Sequence, residues 1–398
     1  LAGGWFMVIN LNKNIKSRIL NGHPWIYKNE IKNIPNDVTK GEIVDVFHEN
    51  NFLGRGYYNE DSLITIRLLT RKNHKIDQDF FDNKIEKALK YRKRFINDNS
   101  FRLFFSESDG IPGLIVDKFE DYLVMQINTF GAYEYKDLIL NSLIKFLGPK
   151  GIFEKDDERS AKIEGFTCIE GWVYKKGPEI IPFQIDGINF FSDTKGQKTG
   201  FFLDQRINAK KVMEISENLD ALDAFSYTGN FGLHVLKGGA KKVTFIDYSE
   251  RALNILENTL KANSIDSSKY EIINGNSFDI LKMFDETSRY FDMTIIDPPS
   301  LAKSRKSKKN AFRGYKELNL RAMKITKNNG ILVTSSCTQI IFDEEFSRII
   351  FEAMEDTHKI LKLVHKGYQS PDHPIQKNIF ETEYLKNYIF LVDDKNNY

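Results

Sequence analysis

Three carboxylates and a thiol stand at the ends of short apolar runs in the second half of the chain: Asp223, Asp247, Asp297 and Cys337. Residues 219–250 read LDALDAFSYTGNFGLHVLKGGAKKVTFIDYSE. An apolar run ends in Asp223, and a turn rich in small residues follows (Ser226, Thr228, Gly229, Gly232). A helical pattern comes next, then a run ending in Asp247. Strand, loop, helix and strand, with an acid at the tip of the second strand, build a nucleoside pocket at the carboxyl ends of parallel strands. Glycine lets a ligand approach the backbone there, and the acid accepts both ribose hydroxyls. The loop lacks the dinucleotide pattern G-x-G-x-x-G, and Phe225, Tyr227 and Phe231 stand where a pyrophosphate needs bare backbone. A nucleoside without a diphosphate fits better, and S-adenosylmethionine is the expected one. The competing reading is a βαβ unit with no ligand.

The other acid and the thiol extend the chemistry. Asp297 opens DPPS after the apolar run FDMTII. Two prolines stop further pairing and fix the backbone, which holds the acid at the sheet edge; the alternative is a helix cap. Cys337 follows the run ILVTSS and stands at the next strand tip. A free cysteine is usually a small, partly buried hydrophobe. Beside a carboxylate and a methyl donor it is a candidate nucleophile. Carbon 5 of a pyrimidine is a poor nucleophile until a thiolate adds at carbon 6 and makes it enamine-like. An acid near the ring nitrogen and exocyclic amine stabilises that adduct. Methylation of an exocyclic amine needs no cysteine.

Further residues fall around this pocket. Lys198 and Thr199, between Gly196 and Gly200, lead into a helix containing Arg206. Either cation could meet a methionine carboxylate; the plainer reading is a linker and an amphipathic helix. Asn276 is placed for the adenine edge with Phe278 packed on it, and Tyr248 and Ser277 adjoin Asp247 and Asn276. Lys303, Arg305, Lys306, Lys308, Lys309 and Arg313 crowd into what reads as one short loop with no acid. Such a run is a solvated loop or an electrostatic clamp for a phosphate backbone.

The elements that must position these groups form an α/β chain. Apolar runs near 219–223, 243–247, 270–274, 291–297 and 330–336 alternate with helical patterns, and late strands near 360–366 and 387–393 complete a doubly wound sheet with one antiparallel member. Residues 7–75 alternate apolar and polar around Val44, Val46, Ile64, Ile66 and Leu68, as a small β-barrel does. Residues 76–185 read as an α+β domain, opening on a helix over 77–98 and including a helix near 133–147, and residues 186–398 as the catalytic domain. His23 in GHPWIY reads as a packed turn, and Cys168 as a small buried hydrophobe. The residues before Met7 read as an expression remnant or leader.

Bulk properties agree. The 398 residues carry a net charge of +2, with 41% apolar and 28% charged residues, a composition of globular domains. No apolar run approaches the roughly 20 residues that span a bilayer. Two cysteines build neither a disulfide framework nor a four-cysteine zinc site, so no metal site is expected and a reducing cytoplasm is the expected location.

The motifs GHPWIY, ESDGIPGLIVDKF, GQKTGFFLDQR, DAFSYTGNFG, DPPS, YKELN and SSCT, in one order along the chain, resemble the ribosomal large-subunit methyltransferase I family. The resemblance runs from about Met7 to Tyr388. It implies an N-terminal PUA domain, a central α+β domain and a C-terminal class I (Rossmann-like) methyltransferase domain. It also implies S-adenosylmethionine, ribosomal RNA, methylation of cytosine at carbon 5, and a homodimer. Transferred by position, it makes Cys337 the attacking thiol, Asp297 the base-recognition acid, Asp247 the ribose ligand and 223–232 the cofactor cradle. Two positions depart from the expected pattern. The adenine-side acid is Asn276, and Ser300 stands after the prolines where other RNA cytosine carbon-5 methyltransferases carry a second cysteine. Two readings compete: methylation of a guanine or an exocyclic base nitrogen with Cys337 structural, and a non-catalytic RNA-binding scaffold.

Overall fold

The structure, a computed structural model, describes residues 6–302 and 304–395, with Arg305 described by its backbone alone. Residues 1–5, most of the expected leader, and Lys303 lie outside the described residues. The chain divides into two units. One comprises the residues up to Ile181 with Ser192–Gly200 and Pro371–Thr382; the other comprises Pro182–Phe191, Phe201–Ser370 and Glu383 onward.

In the first unit a six-stranded sheet runs in the order Trp25–Ile26, Ile66–Thr70, Asn51–Tyr58, Ile43–His48, Met7–Leu11, Ile31–Asn33. Alternation places Val44 with Val46, Ile66 with Leu68 and Ile9 with Leu11 in one buried core, since residues two apart share a strand face. His23 is buried in a packed turn. The Trp25 amide donates to its Nδ1 at 3.2 Å, which leaves Nε2 to carry the proton toward Glu381 at 3.0 Å.

A five-stranded sheet follows, ordered Glu170–Tyr174, Gly151–Lys155, Tyr122–Ile127, Leu114–Phe119, Phe101–Phe105. Helices Gln78–Phe95 and Lys136–Leu147 share its core through Phe81, Ile85, Ile139 and Leu143. Asp77 caps the first of these by accepting from the Phe80 amide, which satisfies one of the free donors of a helix start. The helix expected near 133–147 comes as two pieces, Phe130–Glu134 and Lys136–Leu147, separated at Tyr135. Cys168 is exposed, contrary to expectation. It precedes the edge strand Glu170–Tyr174, which has one side open to solvent.

The second unit carries a seven-stranded sheet: β1 (Asp220–Ala224), β2 (Lys242–Asp247), β3 (Tyr270–Asn274), β4 (Phe291–Ile296), β5 (Thr326–Ser336), β6 (Lys359–Gly367) and β7 (Lys386–Asp394), in the order β3-β2-β1-β4-β5-β7-β6. β1 to β5 pair in parallel. β7 runs antiparallel to both its neighbours, β5 and β6, and is the one antiparallel member. Both sheet faces are covered, so the central strands are near-continuous apolar runs: Val243, Phe245 and Ile246 in β2, and Met293, Ile295 and Ile296 in β4, are buried. On one face Leu222, Ala224 and Ile246 join Leu281, Phe284, Leu318 and Phe346 from helices Ser277–Glu286, Lys308–Ile325 and Asp343–Thr357. On the other, Phe245 meets Gly232 of helix Asn230–Lys237. The strand order reverses between β1 and β4, and the crevice outside their carboxyl ends is where open α/β sheets take ligands.

Candidate active site

The loop after β1 is built under backbone strain. Phe225 and Tyr227 take left-handed conformations (φ 63° and 49°), and Gly229 does so at φ 87°. Side chains with a Cβ pay roughly 1–2 kcal/mol for this region, and such residues cluster at ligand sites. Two acids hold the loop in shape. Asp223 is 1% exposed, and its Oδ2 accepts the Gly232 amide at 2.8 Å. Asp247, at the end of β2, accepts the Tyr227 amide on Oδ2 and the Ser249 amide on Oδ1, both at 2.9 Å. A side chain at Gly232 would run into the Phe245 ring, so the helix can lie on β2 only with glycine there.

The residues present fit a nucleoside cofactor. Ser226 Oγ, Thr228 Oγ1 and both amide atoms of Asn230 are buried without a hydrogen-bond partner. Orphaned polar atoms are rare in folded interiors, and this set belongs to the 223–232 segment that the sequence marks as a cradle. Tyr248, beside Asp247, is 66% exposed. The Phe225 and Phe278 rings meet edge to face at 6.0 Å between centroids. Asn276 caps helix Ser277–Glu286 by accepting from the Phe278 amide at 2.9 Å, which leaves its amide group as a donor, and Ser277 is buried behind it. Phe231 is buried in the first turn of helix Asn230–Lys237.

Burial pushes the Asp223 carboxyl up to about 8, with the charges of Asp297 and Asp247 adding to the rise and the Gly232 amide opposing it. Its ordinary value is 3.8. Between about pH 4 and about pH 8 the folded chain therefore keeps a proton that the unfolded chain has released, and stability falls as pH rises across that window. Asp223→Asn keeps the shape and an acceptor for Gly232 without the titration. Its thermal midpoint is expected to decline less than that of the wild type between those limits; parallel curves in scanning calorimetry would contradict the buried neutral carboxyl.

Asp297 follows β4 and caps no helix; the prolines leave it half-buried at the sheet edge. Its Oδ1 accepts Gln205 Nε2 at 2.9 Å. Asn208 Nδ2 in turn donates to Gln205 Oε1 at 2.6 Å and to the Tyr368 carbonyl at 3.1 Å. A carbonyl can only accept, so Tyr368 fixes the Asn208 amide, which fixes the Gln205 amide, which presents NH2 to Asp297. Gln205 went unnoticed in the sequence, although it lies within GQKTGFFLDQR. Gln205→Leu is expected to lower the transfer rate by about tenfold, the scale of one buried hydrogen bond to a charge. Cofactor affinity should stay the same; equal rates at saturating cofactor would deny Gln205 this role.

Cys337, at the tip of β5, is half-buried, with Sγ 3.8 Å from the Pro298 carbonyl oxygen. The thiol therefore stands beside the turn that carries Asp297. Thr338 Oγ1 ties the two tips together through Ser300 Oγ at 3.1 Å and Tyr315 Oη at 2.6 Å. Ser300 Oγ also donates to the Ala302 carbonyl at 3.1 Å, so the hydroxyl that replaces the second cysteine serves the turn.

The remaining expected residues lie on other elements. Lys198 and Thr199 belong to the first unit, where Thr199 Oγ1 donates to Asp117 at 2.5 Å. Arg206 is buried at the start of helix Arg206–Met213 in the second unit. The basic run is not one loop: Lys308, Lys309 and Arg313 lie on helix Lys308–Ile325. Ala311, Tyr315, Leu318 and Ala322 supply its buried stripe, and that spacing sustains a helix through Gly314. Lys308 pairs with Glu345 at 2.7 Å. Lys306, Lys309 and Arg313 are exposed, Lys303 lies outside the described residues, and Arg305 is placed by its backbone only.

Comparison with known proteins agrees with this geometry. A family described as S-adenosylmethionine-dependent methyltransferase matches residues 169–348, and one described as PUA-like domain matches residues 9–71. The chain is 33% identical over 378 residues to a ribosomal RNA large subunit methyltransferase I of Alteromonas mediterranea, covering 94% of this chain and 95% of that one. It is 34% identical over 387 residues to the protein of the same name in Aliivibrio fischeri, covering 96% and 98%. A solved S-adenosylmethionine-dependent methyltransferase from Streptococcus mutans superposes with a TM-score of 0.82 over 97% of this chain and all of that one, at 20% identity, and shows the same fold. The strained loop, its two acids and these relatives together make the protein an S-adenosylmethionine-dependent methyltransferase, and the chain belongs to the ribosomal RNA large subunit methyltransferase I family.

Proposed function

We propose that this enzyme methylates carbon 5 of a cytosine in large-subunit ribosomal RNA through a covalent adduct with Cys337. The observation that carries the reading is the thiol at 3.8 Å from the Pro298 carbonyl, beside Asp297 and at the same sheet edge as the cofactor loop. The relatives' name supports the RNA class. S-adenosylmethionine supplies a sulfonium methyl, an electrophile that needs a carbon nucleophile made for it. Cys337 provides one: the thiolate forms an S–C6 bond, and the ring electrons move to carbon 5. Carbon 5 takes the methyl as the sulfonium S–CH3 bond breaks and S-adenosylhomocysteine leaves; water takes the carbon-5 proton, and the freed electrons expel the thiolate and restore the ring. Asp297, whose Oδ1 accepts from Gln205, bonds the cytosine amine and so orients the ring. In the cradle, Asp247 binds the ribose and the 223–232 loop the rest of the nucleoside, with Tyr248, Phe225 and Phe278 around the adenine and Arg206 at the methionine end.

The division into a PUA-like module over 7–75, a central domain over 76–185 and a catalytic domain over 186–398 belongs to the same proposal, with the first of these binding RNA. So does the role of Lys306, Lys309 and Arg313 on phosphates. Cations at a helix start are opposed by the helix dipole unless an anion joins them, and a phosphate would be that anion. Two further parts of the reading are a homodimer and a cytoplasmic location; no helix among the described residues is long and apolar enough to cross a membrane.

The test is mass spectrometry of ribosomal RNA from cells lacking the gene. One missing 5-methylcytosine in the large-subunit RNA is the expected result. A missing methyl on guanine or on an exocyclic nitrogen would replace this reading with the competing one, and an unchanged methyl pattern would favour the scaffold.

A further inference from the structure

Lys386 opens β7 opposite Ser336, the residue before Cys337. It is 7% exposed, unusual for lysine. Its Nζ donates to the Thr338 carbonyl at 2.7 Å and to the Ile341 carbonyl at 2.8 Å. Both carbonyls belong to the turn that Cys337 begins, so one ammonium gathers the chain on the far side of the thiol. We propose that Lys386 is the positioning residue that primes Cys337, holding its turn closed and setting its thiolate fraction through the adjacent ammonium.

The charges around the thiol support this. The Pro298 carbonyl at 3.8 Å is a partner for the S–H form and an unfavourable neighbour for the thiolate. Some cation must offset it if the nucleophile is to form. From helix Lys308–Ile325 comes Tyr315, whose phenol burial pushes up to about 12, so it is neutral. Asp297 stands on the turn beside the thiol, and three more acids act on Lys386 itself: Asp343 and Glu345 at the start of helix Asp343–Thr357, and Glu383 before β7. Among the described groups, Lys386 is a cation whose charge acts together with Cys337. Burial pulls its ammonium down to about 8, and Cys337 heads the charges that resist the fall, followed by Asp343, Glu383 and Glu345. Coupling between two titrating sites is reciprocal: a thiolate that holds the lysine proton on is itself held ionised by the ammonium. The thiol proton leaves to solvent through the half-exposed face of Cys337, and no proton passes to the lysine.

The inference rests on the covalent role of Cys337, but its readout does not depend on methyl transfer. Carbamidomethylation by iodoacetamide is followed at each cysteine by peptide mass spectrometry as a function of pH. Cys168 is the internal reference: it is exposed, and burial and nearby acids push its thiol up. In the wild type Cys337 is expected to gain reactivity at lower pH than Cys168. In Lys386→Met the Cys337 profile should move up by about one pH unit or more, which is about tenfold slower alkylation near neutrality. Lys386→Arg should restore it, with the Cys168 profile unmoved throughout. A Cys337 profile at or above that of Cys168 in the wild type overturns the proposal without any variant, and so does an unmoved profile in Lys386→Met. If the profile shifts as expected while Cys337→Ala still transfers methyl groups, the covalent reading has failed and the electrostatic one stands.

Discussion

Cys337→Ala is expected to abolish methyl transfer, with a loss of about 10⁴-fold or more, the scale seen when a covalent nucleophile is removed. Carbon 5 of cytosine has no useful nucleophilicity without addition at carbon 6, and nothing else at this edge carries a thiol: Ser300, after the prolines, is bonded to Ala302 and Thr338. The substitution removes one half-buried sulfur, so folding should lose no more than about 1 kcal/mol. Binding of S-adenosylmethionine should stay within about twofold, because the cradle is built from β1, β2 and their loops. The measurement is labelled methyl incorporated into RNA under single-turnover conditions. RNA carrying 5-fluorocytosine adds a second readout: the fluorine cannot leave as a proton does, so the wild type should form a complex that survives denaturing electrophoresis and the variant should not. Residual transfer close to the wild-type rate would make Cys337 structural and point to an exocyclic nitrogen.

Asp247→Ala should leave the fold standing and remove the cofactor. Asp247 is 6% exposed, and its two oxygens already accept the Tyr227 and Ser249 amides. Each oxygen has a second lone-pair direction for a ribose hydroxyl. Alanine loses the ribose acceptors and also releases Tyr227, which the bond helps to hold at φ 49°. Hydrogen bonds to a charged group contribute about 1.5–3 kcal/mol each, so losing two should lower affinity by about 10²- to 10⁴-fold. Titration calorimetry reads this directly, and the rise in melting temperature on adding cofactor should disappear with it. Asp247→Asn, which keeps one acceptor, should lie between. Wild-type affinity in the alanine variant would move the ribose site elsewhere.

The parts of the site legible in the sequence lie at strand ends. Asp223, Asp247, Asp297 and Cys337 each follow an apolar run and precede a turn residue, and a parallel sheet brings all such ends to one edge. The parts that escaped join elements remote in sequence. Gln205 reaches Asp297 across 92 positions, and in the sequence it is one polar residue in an amphipathic stretch. The helical start at Lys308 was hidden by its own cations, which read as a loop; the buried stripe of Ala311, Tyr315 and Leu318 outweighs them. Cys168 shows the opposite error: residue type favoured burial, and an edge position left it in solvent.

Local sequence by itself determined the strained loop after β1, the acid at the tip of β2, the turn at Asp297 and the thiol one strand further on, because strand period, glycine and proline act over a few residues. Only the tertiary structure decided which groups surround the thiol and the acid. β7 enters antiparallel, and that direction places its first residue, Lys386, at the edge where the parallel strands end. A strand's direction within a sheet is set by how the whole chain covers its apolar faces, and no short segment carries that information.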